Sequence, residues 1–184
     1  MKKFLFVQLR ILKYKLLSDC GRVIGKPKLH HPLLLKGLGT IQFGSNVQIG
    51  VVSSPLFYSN YAYIEARNLN SSIIIGNNVA INNNFSASSI DSIEIKDNVL
   101  IGLNCSIIDN DGHDIDPENR SKNTNSKSVI IEKNVFIGSN VTILKGVTIG
   151  EYSIIGNGST VTKNVPKNVI FAGNPAQYIR EIHV

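Results

Sequence analysis

The stretch IIEKNVFIGSNVTILKGVTIGEYSIIGNGSTVTKNV, residues 130–165, decides the fold. Ile131, Ile137, Ile143, Ile149, Ile155 and Val161 recur at intervals of six residues. Glycine follows directly at Gly138, Gly150 and Gly156, and a second series stands four residues after the anchors: Val135, Val141, Val147, Ser153, Ser159 and Val165. A helix repeats near 3.6 residues and a strand at 2, and neither holds a six-residue register over six repeats. A fixed period of six is the signature of a parallel β-helix in which three hexads close one triangular coil. Ile and Val suit its inward positions because stiff β-branched side chains pack well on flat strands. Gly, Asn and Asp recur at GSN, GNN, KDN and EKN, where the corners need tight or left-handed backbone.

Moving toward the N-terminus, the same grammar returns at IEIKDNVLIGLNCSII, with anchors Ile95, Ile101 and Ile107 and second positions Val99 and Cys105. It is visible again at IIIGNNVAINNNFSA and at IQFGSNVQIG. Residues 51–70 are less regular, with Tyr58, Tyr61 and Tyr63 clustered, and read as a loop or a worn coil covering an end. Between Ile107 and Ile131 about 18 residues leave the register. This excursion, about 109–128, is polar and rich in Asn, Asp and Ser, and it contains His113. Long excursions from a compact repeat are commonly functional. The division expected is an amphipathic segment over 1–26 and a β-helix over 27–184, with FAGNPAQYIREI near the end leaving the coil as a short terminal helix.

Composition excludes several classes. With 42% apolar residues in 184 the chain can bury a large core, and no apolar run reaches the roughly 20 residues of a membrane span. The net charge of +6 gathers near the N-terminus, at Lys2, Lys3, Arg10, Lys13, Lys15, Arg22, Lys26 and Lys28. Basic residues are not interleaved with exposed aromatics elsewhere, so nucleic acid is not the expected partner. The two cysteines, Cys20 and Cys105, have no metal or redox spacing; Cys105 reads as a buried thiol, in keeping with a cytoplasmic protein. Residues 1–20 carry apolar side chains broken by Lys and Arg, without a signal-peptide cleavage site. The favoured reading is a helix packed on the body or on a neighbouring subunit. The second is a basic amphipathic helix making peripheral contact with a membrane.

The run NVFIGSNVTILKGVTIGEYSIIGNGSTVTKNVPKNVIFAGNPAQYIREI resembles the C-terminal half of the hexapeptide-repeat acyltransferases. Within these it is most similar to sugar and polysaccharide O-acetyltransferases related to the maltose and galactoside acetyltransferases. The resemblance covers 72–182 well and 27–50 loosely. It implies an all-β, left-handed parallel β-helix with an extruded loop, a homotrimer with sites between subunits, and acetyl-CoA as donor, with no metal. It also implies a sugar or polysaccharide-precursor acceptor. His113 matches the catalytic histidine, a base suited to neutral pH. Asp109, Asp111 or Asp114 is expected to orient its ring, with Asp111 preferred. Ser139, or a backbone N–H near it, would donate to the tetrahedral oxyanion. Gly138 lies beside it, and Phe136 forms an apolar wall where the family often has Trp. Asn157, Gly158, Thr162 and Lys163 match the coenzyme path, and Lys163 and Arg180 could pair with its phosphates. Asn84 and Asp91 match acceptor-contacting positions. His30, His31 and His183 read as structural or surface residues.

Two other functions are consistent with the repeat: N-acetylation of an amino nucleotide-sugar, and a non-catalytic β-helix scaffold. A zinc hydratase on such a coil would need three histidines, and the repeat body has one.

Overall fold

Three parallel sheets form the sides of a triangular coil in the computed structural model, which describes residues 4–114, 116–120 and 125–182. The first sheet stacks Arg22–Ile24, Thr40–Phe43, Ser72–Ile75, Ser92–Ile95, Val129–Ile131 and Thr148–Ile149. The second stacks Lys28–Leu29, Gln48–Ile49, Ala80–Ile81, Leu100–Ile101, Phe136–Ile137 and Ile154–Ile155, and ends in a hairpin. The third stacks Leu33–Lys36, Ala62–Ala66, Ser86–Ser89, Ser106–Ile108, Thr142–Ile143 and Thr160–Val161. Together they make a left-handed parallel β-helix, against the usual right-handed crossover preference.

The inward positions are those the period of six picks out. Ile131, Ile137, Ile143, Ile149 and Ile155 are all buried, as are Val135, Val141 and Val147. Equivalent side chains lie directly over one another: Ile81 pairs with Ile101, Ile101 with Ile137, and Ile137 with Ile155. Burying each such side chain contributes about 1.5–3 kcal/mol. Cys105 occupies one of these positions, and burial pushes its thiol pKa up. The corners are asparagine columns. Asn46, Asn78, Asn98 and Asn134 all have φ between 56° and 60°, the left-handed region that Asn tolerates best after Gly. Their side chains hydrogen-bond in series, Asn46 to Asn78 at 3.1 Å, Asn78 to Asn98 at 3.2 Å and Asn98 to Asn134 at 3.1 Å. A second column, Asn84–Asn104–Asn140, runs along the next corner at 2.6 and 2.9 Å.

Three features differ from the expectation. The coil begins earlier than residue 27, because Arg22–Ile24 already pairs with Thr40–Phe43; Val23 stands one 18-residue turn before Ile41. FAGNPAQYIREI is not a helix. Val169–Gly173 extends the second sheet, pairing Ile170 with Ile154, and Ala176–Glu181 folds back on it antiparallel. The open sheet edge offers a row of unpaired backbone groups that a further strand can pair, and this outweighs local helix preference. Finally, 51–70 is neither a uniform loop nor a worn coil. Ala62–Ala66 is a regular strand of the third sheet with alternate residues buried, with a short five-residue turn extruded after it and the longer extrusion before it.

That extruded part is held by two buried polar side chains. Asn83 accepts from Val51 N–H at 3.0 Å and donates to the carbonyls of Val51 at 3.1 Å and Pro55 at 2.9 Å. His31 is fully buried, with Nε2 3.0 Å from the Ser59 carbonyl and 3.2 Å from that of Leu56. Both partners are acceptors, so Nε2 carries the proton, and the buried Nδ1 has no hydrogen-bond partner among the described residues. His31 is therefore structural, as expected; His183 lies outside the described residues. Burial holds the His31 pKa below its ordinary value of 6.5, so the unfolded chain binds more protons than the folded one as pH falls below 6.5. Stability from this residue is present above that pH and declines below it. Urea midpoints measured between pH 7 and 5 are expected to fall, and His31→Gln is expected to flatten the slope.

Candidate active site

The 18-residue excursion keeps the register of the coil on both sides. Ile95 pairs with Ile131, 36 residues on, while Ile131 pairs with Ile149 after 18. It leaves from the corner between the third and first sheets. Its root is closed by Asp111 N–H to the Asn125 carbonyl at 3.2 Å, by Lys127 N–H to the Asp109 carbonyl at 2.9 Å, and by an Asn110–Ser126 bridge. Residues 115 and 121–124 of the loop lie outside the described residues.

His113 is exposed on this loop, and its Nδ1 is 3.1 Å from the backbone carbonyl of Arg120. A carbonyl only accepts, so Nδ1 is the protonated nitrogen and Nε2 presents a lone pair. None of the three aspartates considered as its support makes this contact. Asp111 pairs with Lys145 of the following coil. Asp109 is fully buried and staples the corner below, accepting from Ile90 N–H and Asp91 N–H, each at 2.9 Å, and from Ser89 Oγ at 2.6 Å. Asp114 accepts from Asp116 N–H at 3.0 Å. The assignment of Asp111 as the orienting group is therefore replaced by the Arg120 carbonyl. Asp111 instead ties the loop root to the following coil through the Lys145 ammonium, while the ring meets the Arg120 backbone carbonyl.

Ser139 lies on the corner between the second and third sheets. Its N–H donates to Asn157 Oδ1 at 2.7 Å, and its Oγ accepts from Leu103 N–H at 3.2 Å. The backbone donor is thus committed, and the hydroxyl proton is the one free to reach an oxyanion. Gly138 is needed here because a Cβ would stand 2.4 Å from Asn157 Oδ1. Asn157 and Gly158 continue the same corner one turn on, and Gly158 has φ 71°. Phe136 is half exposed on the outer face of the second sheet, paired with Leu100 and Ile154. With Leu100, Ala80 and Val51 it lines an apolar groove of about 220 Å³ leading to that corner. Arg180 lies on the terminal hairpin of this sheet, opposite Ile170.

Asn84 forms part of the same edge, in a groove of about 330 Å³ on the third sheet with Tyr61, Tyr63, Ser86, Asn104 and Ser106. Asp91, Thr162 and Lys163 are at the opposite edge, the corner from which the His113 loop departs; Asp91 accepts there from Ser128 Oγ at 2.8 Å. The expected site residues thus fall into two groups on either side of the third sheet. Ser139 and Lys145, which holds the root of the His113 loop through Asp111, are six residues apart along one coil, ~20 Å of chain at ~3.3 Å per residue, so the loop root and Ser139 lie at opposite edges of the third sheet.

The aromatic and polar wall beside Asn84 was not anticipated from sequence. Its signal was present in the Asn84–Asn104–Asn140 column and in the outward position of Tyr63. Burial, with the adjacent Glu65 carboxylate as a second cause, pushes the Tyr63 phenol up to about 12. In an alkaline spectroscopic titration, the last-ionising tyrosine should be lost in Tyr63→Phe and should ionise earlier in Glu65→Gln.

Comparison with known proteins points to the same fold. The bacterial transferase hexapeptide family (six repeats) matches residues 128–163. The galactoside O-acetyltransferase of Escherichia coli K12 is 45% identical over 115 residues, covering 61% of this chain and 56% of the relative. A galactoside acetyltransferase solved with coenzyme A is 35% identical, with a TM-score of 0.60, over 82% of this chain and 66% of that one. A hexapeptide-repeat acetyltransferase of Vibrio cholerae, solved with acetyl coenzyme A, is 35% identical with a TM-score of 0.58, over 61% of each chain. The chain spans 56–63% of the length of the first curated relatives it matches. Residues 128–163 carry the repeat of this family, and over 61% of its length the chain is similar to a galactoside O-acetyltransferase.

Proposed function

We propose that this protein is an O-acetyltransferase that moves an acetyl group from acetyl-CoA to a sugar hydroxyl. The observation that carries the reading is the His113 ring, held by the Arg120 carbonyl so that Nε2 is left as the basic nitrogen. Nε2 removes the proton from the acceptor hydroxyl as its oxygen attacks the thioester carbonyl. The new C–O bond forms a tetrahedral centre whose oxyanion is met by the Ser139 hydroxyl. Collapse breaks the C–S bond, and the imidazolium returns its proton to the leaving thiolate. No metal takes part.

The apolar groove of Phe136 and Leu100 suits a pantetheine arm, with Asn157 and Gly158 along its edge. Arg180 of the same copy, with Lys163 and Thr162 at the loop edge of the neighbouring copy, would supply donors for the nucleotide and phosphates. The Asn84 groove, with two tyrosines and a row of amides and hydroxyls, suits a sugar, and Asp91 would be a second acceptor contact from the neighbouring copy's loop edge. His113 and Ser139 are on opposite edges of one coil, and a homotrimer would bring the loop of one copy to the Ser139 corner of the next. Such a coil has flat outer sheet faces that association can cover, and cyclic symmetry is the usual outcome. Acetyl-CoA as donor goes with action in the cytoplasm; the galactoside acetyltransferases among the relatives support a sugar acceptor, and a precursor of surface polysaccharide is the one proposed.

His113→Ala is expected to lower thiol release from acetyl-CoA by about 10²–10⁴-fold while leaving coenzyme A binding intact by calorimetry. Ser139→Ala should cost a further about 10²–10³ in kcat when measured alone against wild type. Unchanged turnover in His113→Ala would overturn the mechanism, and failure of the wild type to bind coenzyme A would favour a scaffold.

A further inference from the structure

The N-terminal helix has two apolar faces, and the coil covers only one. A π-helical turn, Phe4–Gln8, runs into the α-helix Leu9–Leu17. On the inner side Val7 is fully buried, and Tyr14 stacks on Tyr61 with ring centroids 4.4 Å apart. Arg10 adds a hydrogen bond to the Asn60 carbonyl. The expectation of a packed helix is met on this side alone. On the other side Leu5, Leu9, Leu12 and Leu16 follow at steps of four, three and four residues, which aligns them along one face of a helix. They are 52%, 45%, 52% and 77% exposed. Single exposed leucines are ordinary, but four in one row form a patch that marks an interaction surface.

We propose that this leucine row docks on the surface of an anionic lipid bilayer, with the helix lying in the plane of the interface. Charge distinguishes this from docking on a second copy. The spacing of the leucines is also that of a coiled-coil seam, in which Lys13 and Lys15 take the flanking positions. Two such helices would set lysine against lysine, and the chain has no Asp or Glu before Asp19 to pair with them. An anionic surface accepts both lysines, whose aliphatic stems extend the apolar face while their ammonium groups reach the headgroups. Among the described residues no helix is long and apolar enough to cross a membrane, so the helix rests on the bilayer.

The inner face gives this docking a consequence for the site. Tyr61, on which Tyr14 stacks, and Asn60, which Arg10 holds, both line the groove beside Asn84. A helix seated on lipid brings that groove alongside the bilayer, where an acceptor carried on a lipid would be presented.

Flotation of the full chain with vesicles tests this directly. The protein should float with phosphatidylcholine vesicles containing phosphatidylglycerol, and partition at least about tenfold less into pure phosphatidylcholine or at high salt. Leu12→Ser/Leu16→Ser and Lys13→Glu/Lys15→Glu should each lower anionic partition about tenfold, with unchanged circular dichroism and unchanged mass by light scattering. Equal flotation of wild type and leucine variant would overturn the proposal. So would a wild type that does not float and a leucine variant of smaller mass, which would make the row a contact between copies.

Discussion

Parallel strands that pair without slip from one turn to the next are what everything else in this protein depends on. Most strands of the coil are two to four residues long, far too short to hold a conformation alone, and each inward side chain finds its packing partner only in the turn above or below. Ile81, Ile101, Ile137 and Ile155 form one such column, and a shift of a single residue would turn the whole column outward. Extra residues are therefore tolerated only where the chain is already outside the columns, at the corners. The extrusion before Ala62–Ala66, the two-residue insertion near Ile90 and Asp91, and the His113 loop all obey this, and Ile49–Ile81 and Ile95–Ile131 remain in register across them.

The corners then determine what chemistry the coil can carry. Asn columns relieve the left-handed backbone and hydrogen-bond along the axis, so a functional side chain placed beside them is rigidly positioned without being buried. Ser139 illustrates this: its N–H and its oxygen lone pair are both occupied by coil atoms, which leaves the hydroxyl proton as the available donor. His113 is positioned differently, by a backbone carbonyl of its own loop, while Asp111 and Lys145 tie that loop to the next turn. A neutral carbonyl fixes the tautomer without adding a negative charge beside the ring.

The third sheet separates the two groups of candidate site residues, and it also carries the groove in which Asn84 sits. That groove meets the N-terminal helix through Tyr61, so helix, groove and corner form one continuous surface. Polar extrusions pinned by buried side chains recur around it. Asn83 and His31 hold the first, and the Asp109 carboxylate holds the corner beneath the second.

Residue spacing alone determined the inward columns, the corner asparagines, the number of residues leaving the coil before Ile131 and the position of His113 in that excursion. A period of six is a local property, repeated often enough that few other structures can satisfy it. Only the tertiary structure decided the rest. The terminal segment became a hairpin because a sheet edge was there to pair with, and Arg22–Ile24 became a strand because Thr40–Phe43 lay one turn ahead. Asp111 could not be distinguished from Asp109 and Asp114 in the sequence DNDGHDI. That none of them meets the ring rests on a lysine 34 residues away and a carbonyl seven residues along the loop, distances in chain that spacing does not convert into contact.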